Sequence, residues 1–486
     1  MIQPITRKQL IALSESLYEI PASFHEMMRV PARIVANEQL LAEIINDRSL
    51  NQLINVTTLP GIQRAAYAMP DIHQGYGFPI GGVAATDISH NGVISPGGIG
   101  YDINCGVRLL ALNVFAHELS RKDLEQLASQ INRAVPSGVG TGGTYTLSKE
   151  AMTLVLNQGA PQMLERGFGE VTDISHCEEQ GSLSMADARC VSEHAQKRGL
   201  DQLGTLGSGN HFLEIQKVGE IYDQTIADIF GIQKNMVTIM IHCGSRGLGH
   251  QTCTDYVQQM VNKLSSWNIS LPDRELACAP FTSTEGQQYF AGMNAAANFA
   301  WANRHMIGHA TRGAVQDVLG TSTTVRTVYD VSHNIGKLEE HMLDGHIRKL
   351  LVHRKGATRA FPAGHPDVPH AYRSVGHPVF IPGTMGTASY ILVGTQHGME
   401  EAFGSSCHGA GRRMSRSKAK EKIKGAALRG ELEKRGIVVR CRSNSELAEE
   451  APYAYKDVDE VVNVMKQGGY AQLVARVTPL AVIKGG

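Results

Sequence analysis

Gly97-Gly-Ile-Gly-Tyr-Asp102-Ile-Asn-Cys105-Gly-Val-Arg108 is the stretch from which the rest of the chain is read. It places a carboxylate three residues before a thiol inside a glycine-dense loop, where the backbone can bring both side chains to one point. Carboxylates and thiolates both ligate divalent metals. Alone, the phrase is equally an acidic turn beside a small buried cysteine. Three histidines change that reading, because each stands in a similar polar phrase with glycine in it or close by: Gly209-Asn-His211, Ile241-His242-Cys-Gly-Ser-Arg246 and Val331-Ser-His333-Asn334. A further phrase, Cys407-His408-Gly-Ala-Gly-Arg-Arg413, joins a nucleophile to backbone amides and arginines suited to a phosphate. One composite site drawn from segments as distant as 102 and 408 calls for a single α+β domain rather than separate modules.

The bulk properties agree. With 486 residues the chain can bury a large core. Its 46 basic and 46 acidic side chains cancel, so whole-chain charge points to no polyanion, while a local basic face stays open. No segment reaches the ~18–20 apolar residues of a membrane span, and the first residues lack a signal-peptide core. The eight cysteines form no C-x-x-C pair, which predicts a reducing, cytoplasmic setting rather than a disulfide framework.

Periodicity outlines the elements. Residues 7–50 have helix-type apolar spacing and predict an N-terminal helical segment (about 1–50) packed on the domain. Residues 60–115 read as short strands with tight turns, 117–133 as helix, and 136–143 as a glycine loop. Helices are expected over 185–200, 249–264, 286–319, a basic one over 415–435, and 457–467. Strands are expected over 236–243, 323–332 and 474–483, with β-rich structure over 371–396.

Asp102, Cys105, His211, His242 and His333 exceed the four ligands of one tetrahedral ion. Five candidates suggest two neighbouring ions with Cys105 between them, and paired ions suit phosphoryl transfer. The donor set leaves manganese, iron, zinc and cobalt open. His176, Cys177, Cys190 and His194 lack zinc-site spacing and read as ordinary residues on a surface excursion over 173–190. Gly138-x-Gly140-x-x-Gly143 matches the dinucleotide fingerprint only formally, because no strand precedes it. Pro79-Ile-Gly-Gly82, Gly207-Ser-Gly-Asn-His211 and Pro382-Gly-Thr-Met-Gly-Thr387 read as further phosphate or nucleotide loops. The basic run after Arg412 could track a nucleic-acid backbone.

These phrases resemble the RtcB family of GTP-dependent RNA ligases. They run in order through Met69-Pro-Asp71-Ile-His-Gln-Gly-Tyr-Gly-Phe-Pro-Ile-Gly-Gly, Asp102-Ile-Asn-Cys105-Gly-Val-Arg, Leu203-Gly-Thr-Leu-Gly-Ser-Gly-Asn-His211-Phe-Leu-Glu214, His242-Cys-Gly-Ser-Arg-Gly-Leu-Gly-His250, Val331-Ser-His333-Asn334, Pro382-Gly-Thr-Met-Gly-Thr, His408-Gly-Ala-Gly-Arg and Val482-Ile-Lys484-Gly. The resemblance implies one RtcB-type α+β domain over 1–486, with mixed and antiparallel sheets and peripheral helices, unlike the classical lysine-nucleotidyl ligases. It implies two manganese ions, held by Asp102, Cys105, His211, His242 and His333 with Cys105 bridging. It assigns to His408 the attack on the α-phosphate of GTP. Asn210, Phe212, Leu213, Glu214, Asn334, Pro382, Gly383, Thr384, Met385, Ser389, Gly409, Ala410, Gly411, Tyr455 and Lys484 match its guanylate contacts. Asp71, Arg246, Arg412 and Arg413 are taken as RNA or phosphate contacts. The implied substrates are RNA ends bearing a 3′-phosphate or 2′,3′-cyclic phosphate and a 5′-hydroxyl, in tRNA splicing or RNA repair, with archease as an activating partner.

Two other functions fit parts of the pattern. A metal-dependent phosphohydrolase or cyclic phosphodiesterase would use the ions without nucleotide, and would leave His408 and Lys484 without a task. A non-catalytic RNA-binding subunit would have no use for an intact ligand set.

Overall fold

A computed structural model describes residues 5–485. The strands are Ile11–Ser14 (β1), Leu17–Ile20 (β2), Ala32–Val35 (β3), Ala66–His73 (β4), Ile80–Asp87 (β5), Val93–Ile94 (β6) and Gly106–Phe115 (β7). Phe212–Ile221 (β8), Met236–Cys243 (β9), Ala279–Pro280 (β10), Val325–Ser332 (β11), Asn334–Leu343 (β12) and His346–Lys355 (β13) follow. The last are Ala357–Arg359 (β14), Pro378–Ile381 (β15), Ser389–Gly394 (β16), Ser405–Cys407 (β17), Val438–Cys441 (β18) and Ala471–Lys484 (β19).

Two large mixed sheets carry the architecture. The first has the order β1-β2-β3-β4-β5-β13-β12, and the second β11-β7-β9-β8-β19-β16-β15 with β18 added in parallel to β19. The chain passes from the second sheet to the first at His333, between β11 and β12. A 36-residue helix, Thr284–Leu319, is capped by Ser283, whose hydroxyl accepts from the Gly286 amide at 3.1 Å. Ala295, Ala296, Phe299, Trp301 and Ile307 on it are fully buried. That all-round burial explains its apolar residues on every face. Among the described residues no helix is long and apolar enough to cross a membrane.

Several expectations hold. The helices at Arg246–Lys263, Thr284–Leu319 and Val458–Gln467, and the strands β9, β11 and β19, lie where the periodicity placed them. The N-terminal helical segment does not. Residues 11–35 hold β1, β2 and β3, and α-helix begins only at Glu38; residues 1–4 lie outside the described residues. The cause is long-range burial. Tyr18, Ile20, Ile34 and Val35 are buried as β3 pairs in parallel with β4. Four such side chains at about 1.5–3 kcal/mol each outweigh local helix preferences of a few tenths of a kcal/mol per residue. The basic run is two helices, Arg416–Lys422 and Gly425–Lys434, broken where Ile423 and Lys424 are extended. The segment 173–190 is no surface excursion: Asp173, Cys177 and Glu178 are buried, and Cys177 bridges to Asp330 of β11.

Candidate metal and nucleotide site

The second sheet assembles the ligand set by register. Ser332 at the end of β11 pairs with Gly106 at the start of β7, Gly106 pairs with Cys243 in β9, and His242 pairs with Phe212 at the start of β8. Adjacent strand ends therefore deliver His333, Cys105, His242 and His211 side by side. Cys105 Sγ lies 3.3 Å from His211 Nε2 and 3.2 Å from His242 Nε2. His242 Nε2 lies 3.1 Å from His333 Nε2, and His211 Nε2 lies 2.8 Å from Asp102 Oδ2. Two triads result, Cys105–His242–His333 and Asp102–Cys105–His211, and Cys105 belongs to both. His176, Cys177, Cys190 and His194 form no such group among the described residues.

These spacings fit metal ligation. Donors ~2.1–2.3 Å from an ion at tetrahedral angles stand roughly 3.4–3.6 Å apart, close to the separations here. His242 and His333 are buried, their Nδ1 atoms have no partner among the described residues, and burial holds both well below the ordinary imidazole range. Both are neutral, with ring nitrogens converging on one point. Burial and the Asp102 carboxylate push the Cys105 thiol up to about 12, so only a cation at Sγ makes a thiolate there. Burial opposes ionisation of Asp102, but His211 beside it holds the carboxyl down at about 2. The backbone leaves room for it: a Cβ on Gly244 would lie 2.3 Å from Asp102 Oδ1.

His408 follows β17, which pairs with β14 in a small sheet of its own, and its ring centroid stands 4.8 Å from that of His333. Its Nδ1–H donates to Asp71 Oδ2 at 2.6 Å, and its amide donates to the same oxygen at 3.0 Å. Asp71 lies in β4 and is fully buried. In the neutral ring this pair selects the tautomer with the proton on Nδ1, so the lone pair is on Nε2, which has no partner among the described residues. Gly411 permits this contact, since at φ 74° a Cβ there would meet the Asp71 carbonyl at 2.1 Å. The cavity in front of His408 is about 520 Å³, within the range of small-molecule sites.

The family model described as "tRNA-splicing ligase RtcB" matches residues 52–485. The chain belongs to the RtcB family. The RtcB protein of Archaeoglobus fulgidus, named tRNA-splicing ligase RtcB, is 51% identical over 476 residues, covering 97% of this chain and 98% of its own. That of Thermococcus kodakarensis, with the same name, is 52% identical over 471 residues (96% and 97%). The RNA-splicing ligase RtcB of Mycobacterium tuberculosis is 50% identical over 435 residues, covering 89% of this chain and all of the relative.

In this RtcB chain most of the expected guanylate residues line one cavity: Asn210, Phe212, Glu214, Asn334, Pro382, Gly383, Thr384, Met385, Ser389, Gly409, Ala410, Gly411, Tyr455 and Lys484. Ser389 Oγ accepts from the Gly383 amide at 3.0 Å and so shapes the Pro382–Thr387 turn. Asn334 ties the halves together, donating to the Asp102 carbonyl at 3.1 Å and accepting from the Gly356 amide at 2.8 Å. Lys484 Nζ donates to the carbonyls of Gly209 (2.6 Å) and His211 (3.3 Å), and burial lowers its pKa. Glu214 accepts from Gln216 Nε2 at 2.6 Å, and burial pushes its carboxyl up to about 8.

Four expected residues fall elsewhere. Leu213 turns into the core beneath the sheet, because β8 alternates and only Phe212 and Glu214 face the cavity. Asp71 is sealed from RNA by complete burial and acts on His408. Arg413 does not line the cavity; its Nε donates to the Tyr455 carbonyl at 2.8 Å. Arg246 also lies off the cavity wall, donating to Thr205 Oγ1 (3.2 Å) and the Gly138 carbonyl (2.9 Å). Arg412 does line it, with its guanidinium 4.9 Å from the Tyr455 ring centre. The sequence pattern alone did not single out His73, Tyr76, Tyr101, Lys355, Arg416 and Glu450, which also face the cavity. Lys355 directly precedes the turn at Gly356, and burial lowers it to about 8.

Proposed function

We propose that this RtcB-family enzyme is a GTP-dependent RNA ligase that joins a 3′-phosphate or 2′,3′-cyclic phosphate end to a 5′-hydroxyl end, as in tRNA splicing or RNA repair. The observation that carries the reading is the His408–Asp71 pair, which holds the His408 ring by Nδ1 at a cavity lined by Asp102, Cys105, His242 and His333. The printed names of the relatives, tRNA- and RNA-splicing ligases, point the same way.

Asp102, Cys105, His211, His242 and His333 would hold two manganese ions, which would supply neutralisation of charge on the reacting phosphates. The Nε2 lone pair of His408 attacks the α-phosphorus of GTP. The N–P bond forms as the P–O bond to the β-phosphate breaks, and pyrophosphate leaves. Asp71 stabilises the positive charge that builds on the imidazole. Lys484 neutralises the guanylate, and Glu214 accepts from the guanine edge, a contact adenine lacks. An RNA 3′-phosphate oxygen then attacks the same phosphorus and displaces His408, giving a 3′-diphosphoguanosine end. The 5′-hydroxyl attacks the RNA phosphorus, and GMP leaves. A cyclic phosphate is first opened by water to the 3′-phosphate.

A phosphohydrolase needs only activated water and leaves the His408–Asp71 pair and Lys484 idle. Incubation with manganese and α-phosphate-labelled GTP, then denaturing electrophoresis, separates the two. The expected result is a protein-linked label, stable in alkali, lost in acid and absent from His408→Ala. An unlabelled protein of confirmed metal content overturns the ligase reading.

A further inference from the structure

Zero net charge hides a concentration. Between Arg412 and Arg442 the chain carries twelve Lys/Arg and three Asp/Glu. Much of this charge is absorbed locally: Arg416 and Lys420 pair with Glu450 and Glu449, at 3.2 and 2.8 Å. One group is not. Arg440 and Arg442 flank Cys441 at the end of β18, and with Arg133, Ser129 and Asn132 of the helix Arg121–Ala134 they line a separate pocket of about 370 Å³. Among the described residues none of these three arginines has a carboxylate within ion-pair distance. Arg440 donates to Ser129 Oγ (3.1 Å) and to the Glu125 carbonyl (3.3 Å), while the Glu125 carboxylate is held by Arg121 at 2.8 Å. Arg133 sits in the last turn of its helix, where a cation complements the free carbonyls. That accounts for one charge and leaves two.

The pocket adjoins the reaction cavity. Cys441 pairs with Lys484 across the β18–β19 ladder, so the arginines lie next to a cavity-lining residue on the opposite strand face. A glycine loop lies beside the same strand end, since a Cβ on Gly485, next to Lys484, would stand 3.3 Å from the Gly138 amide nitrogen. Arg246 anchors it through the Gly138 carbonyl, Pro136 belongs to the arginine pocket, and two residues span at most about 7 Å. Val139 at the loop tip is 81% exposed between Gly138 and Gly140, both at positive φ.

We infer that the Arg133–Arg440–Arg442 pocket holds a backbone phosphate of the RNA strand after it leaves the reaction cavity over the Gly138–Gly140 loop. The inference rests on the RNA-joining reading above. Guanidinium groups suit phosphate oxygens, and Arg133 and Arg442 are exposed at the mouth of this pocket with no ion-pair partner among the described residues, free to take one. The strand is fixed by this pocket without being read in sequence.

The test compares a dinucleotide with oligonucleotides about 16 nucleotides long, each with a 5′-hydroxyl or a 3′-phosphate, on wild type and Arg133→Ala/Arg442→Ala. Arg440 stays, because it ties strand to helix. The expected result is roughly tenfold weaker binding or more for the long strand of one polarity. The magnitude of its salt slope should fall by about 0.7 for each phosphate the variant no longer neutralises. Binding of the dinucleotide and guanylylation by GTP should be unchanged. The Arg133→Glu/Arg442→Glu variant should deepen the same loss. Equal losses for long and short strands, or no loss at all, overturn the inference; the latter leaves the patch to an acidic protein partner. If wild type is not guanylylated, the ligase reading fails instead, and the two failures are distinct.

Discussion

Two buried polar clusters stand back to back in this molecule, and they are built on opposite rules. Behind the site, Asp330 accepts from Arg108 Nε at 2.8 Å and from Arg304 Nε at 2.9 Å, all at 0% exposure. Arg304 then donates from Nη1 to the carbonyls of Asn104 (2.7 Å) and Cys243 (2.9 Å). Two guanidiniums share one carboxylate there, and the terminal nitrogens of Arg108 stay unpartnered among the described residues. In front, the imidazoles of His242 and His333 face each other across 3.1 Å beside a thiol, and their Nδ1 atoms are likewise unpartnered. Lone pairs converge there with too few protons to satisfy them. The first arrangement holds its cations against a carboxylate of the protein, and the second is complete only around a cation from outside. The first also serves the second, since Asn104 and Cys243 are the chain neighbours of Cys105 and His242.

Cys105→Ala should break the front cluster outright. Elemental analysis after manganese loading should find the metal lost, while far-UV circular dichroism stays native because Arg304 and Asp330 are untouched. Retained manganese would remove the shared-thiolate arrangement. Asp71→Asn should leave metal content alone and slow guanylylation by about 10²–10⁴-fold, the range for removal of an orienting carboxylate. An unchanged rate would reduce the 2.6 Å contact to a structural one.

Asp330→Ala tests the rear cluster. It leaves two buried arginines without their counter-ion, so denaturant unfolding should show a loss of about 3–5 kcal/mol. The smallest effect concerns Glu214. Its folded value of about 8 lies above the ordinary 4.5, so the unliganded protein binds more protons than the unfolded chain between those values. Stability therefore falls as pH rises across that window, and Glu214→Gln should flatten the fall. Guanine needs the carboxylate, so GTP affinity relative to Glu214→Gln should rise about tenfold from pH 7 to 9. A flat ratio would free Glu214 from guanine recognition.

The front cluster was legible because metal-ligand residue types recur in short polar phrases that end strands, and strand ends are where a sheet collects distant segments. The role of Asp71 was not, because its partner His408 is 337 residues away and nothing local marks the pairing. Leu213 was legible and misassigned: the two-residue period of β8 already separates it from Phe212 and Glu214. The break in the basic run was signalled by Gly425. The N-terminal strands were hidden, because the spacing of Leu10, Leu13, Leu17 and Ile20 follows the helical period, and only pairing through β3 to β4 overrides it.

The pairing of β8 with β19 has a consequence for how the protein comes into being. Phe212 meets Lys484 in that ladder, so β8 is made 272 residues before the strand that covers it. At about 5–20 residues per second, a ribosome leaves that edge open for roughly 15–50 s. Phe212, Leu213, Ile215 and Val218 give β8 an apolar share, and its unpaired edge is able to join another strand. Newborn chains are thus most vulnerable to sticking together in that interval, and strains short of chaperone capacity should lose this protein as aggregate before they lose it to poor folding of the finished chain.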